Sequence, residues 1–326
     1  MADAEALLRA ARRPLVIGMG GGGDVVGALA SAEFHRLYDG GDPVVGGLAW
    51  ERRPIDPVPG PRRVDEITDG QEIAPGVLLA GPDTRVRARD VYFGESRMSQ
   101  YLDEPTLLVC IDAGPATIAA ALAAASACLG ADLILFVDVG GDVLARGDEA
   151  GLRSPLCDAV MLAAAAHLAR SGVPVLLGIF GVGCDAELTN REVLDRVALV
   201  AAAGGLAGVR GLTEAVAARL EGAMEHVPTE ASAQAVRAFR GDSGTVAIRG
   251  GEHSLELSPV AALTIFLDVA LAYSAAGDLA RAVADASTLD QANAALAALG
   301  VRTELDLETD AFSRAGGWAA ISPATS

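Results

Sequence analysis

Two glycine-rich turns, each carrying aspartate where an apolar run stops, constrain this chain more than any other feature. The first, Gly20-Gly21-Gly22-Gly23-Asp24, follows Pro14-Leu15-Val16-Ile17-Gly18-Met19. The second, Asp138-Val139-Gly140-Gly141-Asp142, follows Leu133-Ile134-Leu135-Phe136-Val137. An unbroken apolar run suits a strand buried on both faces, which a parallel sheet between two helix layers supplies. Glycines at its end let backbone N–H groups approach a ligand, and ligands sit at the carboxyl edge of such a sheet.

The remaining chain keeps the alternation. Strands are expected at Leu15–Met19, Pro43–Ala49, Val77–Ala80, Leu107–Ile111, Leu133–Val137 and Val173–Phe180. Helices are expected at 3–12, Val25–Tyr38 with Asp24 as its N-cap, Ser96–Leu102, Pro115–Leu129, Pro155–Arg170 and Arg191–Ala203. This predicts an α/β fold: a doubly wound, mostly parallel sheet with helices on both faces, Rossmann-like in kind. Residues 51–75 hold Pro54, Pro57, Pro59, Pro61 and Pro75 amid charge, and read as a long ordered loop over the sheet edge. The last third is more helical, at Leu212–His226, Glu230–Phe239, 260–274 and 289–299. It carries a small hairpin, Thr245–Arg249 with Ser254–Leu257, around Gly250-Gly251. The expected division is a core over 1–210 and an α+β portion over 211–326, packed on it as one continuous unit, with residues after Gly316 fraying.

Composition removes several chemistries. At 326 residues and 51% hydrophobic, the chain can bury one large α/β domain or a main domain plus a small one. A net charge of −18 argues against nucleic-acid and anionic membrane partners. All 25 basic residues are arginine. Without lysine there is no Schiff base, no pyridoxal aldimine, no P-loop lysine and no Tyr-Lys pair. A phosphate must then be held by arginine, backbone N–H groups or a metal. Cys110, Cys128, Cys157 and Cys184 form no CxxC pair, and no signal peptide precedes the first apolar run. A reduced, cytoplasmic protein is expected. The four histidines are scattered, against a zinc site. The uncharged stretch Ala113–Ala131 is mostly alanine between Asp112 and Asp132, which suits a buried helix and not a membrane span. Helices this rich in alanine and glycine allow close subunit packing, so a homo-oligomer is expected.

Candidate site residues gather at the strand ends. Gly18-Met19-Gly20-Gly21-Gly22-Gly23 satisfies G-x-G-x-x-G between strand and helix, with Glu51 as the acid a dinucleotide ribose wants. That pattern admits NAD(P) or FAD, although Asp24 would repel the pyrophosphate. Trp50 offers a stacking face and Arg52 a fork for phosphate or carboxylate. Asp112, Asp138 and Asp142 are the candidate catalytic acids, with Gly140 and Gly141 between the last two and Glu149 downstream. Carboxylates converging from adjacent parallel strands suit Mg²⁺, Mn²⁺ or Ca²⁺ on Asp138 and Asp142, sugar hydroxyls, or a general base. Gly181-Val182-Gly183-Cys184-Asp185-Ala186-Glu187 repeats the pattern, so Asp185 and Glu187 join the binding set. Thr189 with Glu192 reads as a capping box.

These motifs resemble a known family. Gly20 to Gly27, Trp50-Glu51-Arg52, the long block Val137 to Leu144, Glu149 to Leu156, Asp185 to Leu188, Thr229 to Ser232 and Thr303 to Asp306 are similar to the domain-of-unknown-function family 1152. The likeness covers nearly the whole chain. It departs at Ala186, where the family has glycine. The resemblance carries no activity with it. The residues themselves point to a cytoplasmic enzyme acting on a small hydroxylated anionic metabolite, a nucleoside, nucleotide or sugar phosphate, by hydrolysis, group transfer or elimination. An NAD(P)- or FAD-binding oxidoreductase and a non-catalytic nucleotide-binding sensor or assembly subunit are the alternatives.

Overall fold

A computed structural model describes residues 3–317. In chain order the first half runs α1 (Ala4–Ala10), β1 (Pro14–Gly18), α2 (Asp24–Phe34), β2 (Val44–Leu48), β3 (Ile67–Ala74), β4 (Val77–Val86), α3 (Gly94–Leu102), β5 (Thr106–Val109), α4 (Pro115–Leu129) and β6 (Leu133–Val139). The second half runs α5 (Pro155–Arg170), β7 (Val175–Phe180), α6 (Asn190–Ala202), β8 (Leu206–Gly211), α7 (Glu214–Met224), α8 (Ala231–Phe239), β9 (Gly244–Ile248), β10 (His253–Leu257), β11 (Leu263–Leu267), α9 (Val269–Ala276), α10 (Asp278–Val283), α11 (Leu289–Ala298) and α12 (Glu304–Arg314).

Nine of these strands form one mixed sheet in the order β3-β4-β5-β2-β1-β6-β7-β11-β8. The central five, β5-β2-β1-β6-β7, are parallel. Both flanks are antiparallel. Numbered among themselves, the parallel strands run 3-2-1-4-5, the doubly wound order, and that order reverses between β1 and β6. The expected α/β class and the helical C-terminal region are therefore what the structure has.

The apolar runs explain the layering. Leu15 and Ile17 enter one core with Ile134 and Phe136, under α4, α5 and α9 to α11. Val16 enters the opposite core with Leu133, Leu135 and Val137, under α1, α2, α7 and α8. Successive residues of a strand point to opposite faces, so a strand covered on both sides must be apolar throughout. Each fully buried Leu, Ile or Phe contributes on the order of 2 kcal/mol. Ala163, Ala164 and Ala165 of α5 are fully buried, which lets that helix lie close to its neighbours.

Three expectations need correction. The last third of the expected 51–75 loop is β3, a polar strand at the sheet edge with register irregularities and Asp69 in a left-handed conformation. Only one face of such a strand is covered, so it lacks the apolar signal. The helix expected over 260–274 is a short 3-10 turn (Pro259–Ala262), then β11, then α9. Leu263-Thr264-Ile265-Phe266-Leu267 is a short apolar run, whose period does not separate strand from buried helix. The third point is β8, which carries Gly208 and Gly211 and no periodic pattern from which a strand is expected. The hairpin is present as β9 and β10, paired antiparallel apart from the main sheet. The expected fraying concerns the end of the chain, where residues 318–326 lie outside the described residues. Among the described residues, no helix is long and apolar enough to cross a membrane.

Candidate functional site

The two glycine turns leave the sheet side by side. Gly18 pairs with Val137 across β1 and β6, and the Met19 N–H donates to the Val137 carbonyl at 2.9 Å. Beyond β6 the chain turns through Gly140 and Gly141, both at positive φ. Gly140 donates to the Phe180 carbonyl and accepts from the Gly183 N–H at 2.7 Å, which ties this turn to the one after β7. A Cβ at Gly140 would lie 2.3 Å from Cγ of Asp185, so glycine is what lets the turns approach.

That approach assembles a buried acidic cluster. Asp138 follows Ile134 and Phe136 in the two-residue period, so it faces α5. Asp158, in the first turn of α5, meets it there. Carboxylate oxygens of Asp138, Asp142 and Asp158 all lie within 4.8 Å of one another, as do those of Asp142, Asp185 and Glu187. These five side chains belong to residues between 1% and 6% exposed. Neither oxygen of Asp138, nor Oδ1 of Asp158, has a partner at good hydrogen-bond geometry, although the Gly141 N–H and the Asp142 and Asp158 carboxyls lie close enough to offset part of the burial of Asp138. Burial pushes Asp138 up to about 7. Burial, and then the like charges of neighbours, holds Asp142, Asp158 and Asp185 well above the usual carboxylate range. An unpaired buried carboxylate costs several kcal/mol, so the cluster requires protons or a cation.

Glu187 is better served. Its Oε2 accepts from the Arg153 and Ser154 N–H groups at 2.6 and 2.8 Å. Its Oε1 accepts from Ser154 Oγ and from Arg249 Nη2 at 3.0 Å. Arg249 sits at the turn between β9 and β10, where its own N–H donates to Glu230.

The first glycine turn is closed by its own surroundings. The Gly20 N–H donates to Asp24 Oδ2 at 3.0 Å and the Gly22 N–H to the Trp50 carbonyl at 3.0 Å. Arg52 donates to the Gly20 carbonyl and to Cys157 Sγ, and pairs with Glu304 and Glu308 at 3.5 and 3.7 Å. Asp24 is not the N-cap of α2. It is the first helical residue after Gly23, and its carboxylate bends back to the turn. Burial, and then the charge of Asp138, pushes Asp24 up to about 8.

Several expected binders have other employment. Trp50 is no free stacking face: it is fully buried, its ring is covered by the Arg52 guanidinium at 4.3 Å, and its Nε1 donates to Glu308. Glu51 accepts the Gly94 N–H at the start of α3, and burial pushes it up to about 7. Glu149 closes its own turn by accepting from the Arg146 and Gly147 N–H groups. Asp112 stands apart from the cluster: β2 separates its strand from β1, and its side chain is exposed. The structure thus brings Asp24, Asp138, Asp142, Asp185 and Glu187 together around Gly20–Gly23, Gly140 and Gly141, and leaves Asp112 out.

Sequence reasoning missed Asp158, Arg249, Glu304 and Glu308. Asp158 had a signal: it is a lone acid within Leu156-Cys157-Asp158-Ala159-Val160. Glu304, which accepts from the Leu156 and Cys157 N–H groups at the start of α5, was visible only as part of the family motif.

Over residues 15–312 the sequence matches the family described as "Protein of unknown function (DUF1152)". The chain belongs to this family. The DUF1152 match spans both glycine turns, all five clustered acids and the Glu304–Glu308 contact with Arg52. No curated protein and no solved structure matches the chain at a significant level.

Proposed function

We propose that this protein is a cytoplasmic, divalent-cation-dependent enzyme. Its substrate is a small hydroxylated anionic metabolite (a nucleoside, nucleotide or sugar phosphate), processed by hydrolysis, group transfer or elimination. Asp138 carries this reading. It lies at the reversal point of the strand order, where doubly wound sheets hold ligands, and neither of its buried oxygens has a donor at good hydrogen-bond geometry. An all-oxygen set from Asp138, Asp142 and Asp158 matches Mg²⁺, Mn²⁺ or Ca²⁺. Such an ion would supply charge neutralisation and polarise a substrate oxygen. Asp24, across the two turns, is pushed up to about 8 by burial and is the candidate proton donor. The four free cysteines accord with a reducing compartment.

The dinucleotide reading has less support. Asp24 and the Trp50 carbonyl already take the Gly20 and Gly22 N–H groups that a pyrophosphate would use, and Glu51 is committed to α3. The test is a thermal-shift screen of nucleosides, nucleotides, sugar phosphates and dinucleotides, each with and without Mg²⁺, Mn²⁺ or Ca²⁺. A cation-dependent shift is expected, followed by turnover of the stabilising compound that Asp138→Asn abolishes. Undiminished turnover in that variant sinks the assignment. Tight nucleotide binding with no turnover would make the protein a sensor, and a shift with NAD(P) or FAD alone an oxidoreductase.

A further inference from the structure

The acidic cluster contains two groups of potential cation ligands, and they share one member. Oxygens of Asp138, Asp142 and Asp158 form the first, and oxygens of Asp142, Asp185 and Glu187 the second. We propose that the site holds two divalent cations bridged by Asp142, the second of them held by Asp185 and Glu187. This rests on the cation-dependent reading above and extends it.

Charge decides between one ion and two. The five clustered carboxylates bring a formal charge of −5 when ionised. One divalent cation leaves −3 in a buried region. Two leave −1, and the guanidinium of Arg249, paired with Glu187, offsets the remainder. Buried charge is tolerated only when it is paired, so the second ion completes the balance. Both oxygens of Asp138 and Oδ1 of Asp158 lack a hydrogen-bond partner, which points independently to a ligand at the first group, and Asp142 carries that site on to the second.

Size agrees with charge. Ca²⁺–O distances of roughly 2.4 Å span a ligand set whose oxygens are no more than about 4.8 Å apart, and the smaller Mg²⁺ requires them to draw in to about 4.2 Å. The oxygens of each group lie within 4.8 Å of one another, which is the Ca²⁺ limit. One carboxylate bridging two ions sets them about 3.5–4 Å apart, the spacing at which two cations grip one oxyanion from both sides. Glu187 is prepared for the role. The N–H groups of Arg153 and Ser154 fix its Oε2, and Ser154 Oγ and Arg249 fix its Oε1, so the carboxylate is held in one orientation beside Asp185. Without the second ion, the guanidinium supplies the positive charge at that corner of the cluster.

The test titrates the metal-free full chain with Mn²⁺ and follows free Mn²⁺ by electron paramagnetic resonance. Two ions per chain are expected, with the spectrum of a spin-coupled pair. Asp185→Asn should bind one ion fewer and give the six-line spectrum of an isolated ion. Glu187→Gln, as a second variant, should weaken the second binding step by at least about tenfold, on the scale of lost metal partners. Thermal melts confirm that each variant folds. A wild-type chain that saturates at one ion overturns the proposal and leaves the cation-dependent reading standing. Failure to bind any ion overturns both. Two coupled ions in both variants would also overturn it, because Asp185 and Glu187 would then hold neither.

Discussion

The turn after β1 and the turn after β6 share a pattern of glycines and aspartate, and they do opposite things. In the first, the molecule answers its own polar groups: Asp24 takes a turn N–H, Trp50 another, and Arg52 the Gly20 carbonyl. In the second, glycines bring carboxylates together, and neither oxygen of Asp138 nor Oδ1 of Asp158 is answered. One turn is a clasp and the other a receptacle. A glycine-aspartate motif at a strand end therefore does not define a ligand site. The count of unanswered polar atoms around it does.

Removing the clasp should have the largest effect. Arg52→Ala removes the counter-charge beside Glu304 and Glu308 and uncovers Trp50. A loss of about 3–5 kcal/mol is expected, as when one member of a buried ion pair is deleted. Urea denaturation measures it, and a loss below about 1 kcal/mol would mean that the clasp is ornamental. Next, Mn²⁺ at a hundred times its dissociation constant should add about 2.7 kcal/mol to the wild type. Asp138→Asn should lose that gain and Asp24→Asn should keep it. Equal loss in both variants would erase the distinction between the turns.

The pH response sharpens the comparison further. Folding raises Asp24 to about 8 and Glu51 and Asp138 to about 7, above the ordinary range near 4. Across that window the folded chain binds protons that the unfolded chain does not, so metal-free stability should fall as pH rises from about 5 to 8.5. Cation binding displaces those protons, so the Mn²⁺-induced rise in Tm should be larger at pH 8 than at pH 6. Melts at several pH values decide this, and a metal-free Tm that climbs toward pH 8 contradicts it. The smallest effect is expected from Gly22→Ala. Its φ of +56 costs alanine about 1 kcal/mol, and the nearest atom, Arg52 Cγ, is 3.4 Å from the new Cβ. Gly140→Ala should cost more, because the new Cβ would lie 2.3 Å from Asp185 Cγ. Equal costs would show that the second turn is not tightly packed.

The parallel core was legible because burial on both faces writes itself as apolar runs, and glycine marks where they stop. β3 and β8 lie at or near the edges, where one-sided cover leaves no such text, and β11 was too short to declare its period. Within the site, Asp138, Asp142, Asp185 and Glu187 were legible because chain and geometry coincide at strand ends. Trp50 was misjudged since its cover, Arg52 held by Glu304 and Glu308, comes mostly from residues some 250 positions away. Asp158 lies on a helix, and only the absence of a nearby partner in sequence marked it.

The reach of α12 bears on how the chain is made. Glu308 accepts from Trp50 and from the Gly60 N–H, and Glu304 from the first turn of α5. A ribosome delivers the first turn, then α5, and these two acids near the end. Until residues 304–308 emerge, Arg52 is a cation in a half-built interior and the start of α5 is uncapped. The first glycine turn and the start of α5 are thus completed only once residues 304–308 have left the ribosome, so this part of the fold is set after synthesis of nearly the whole chain.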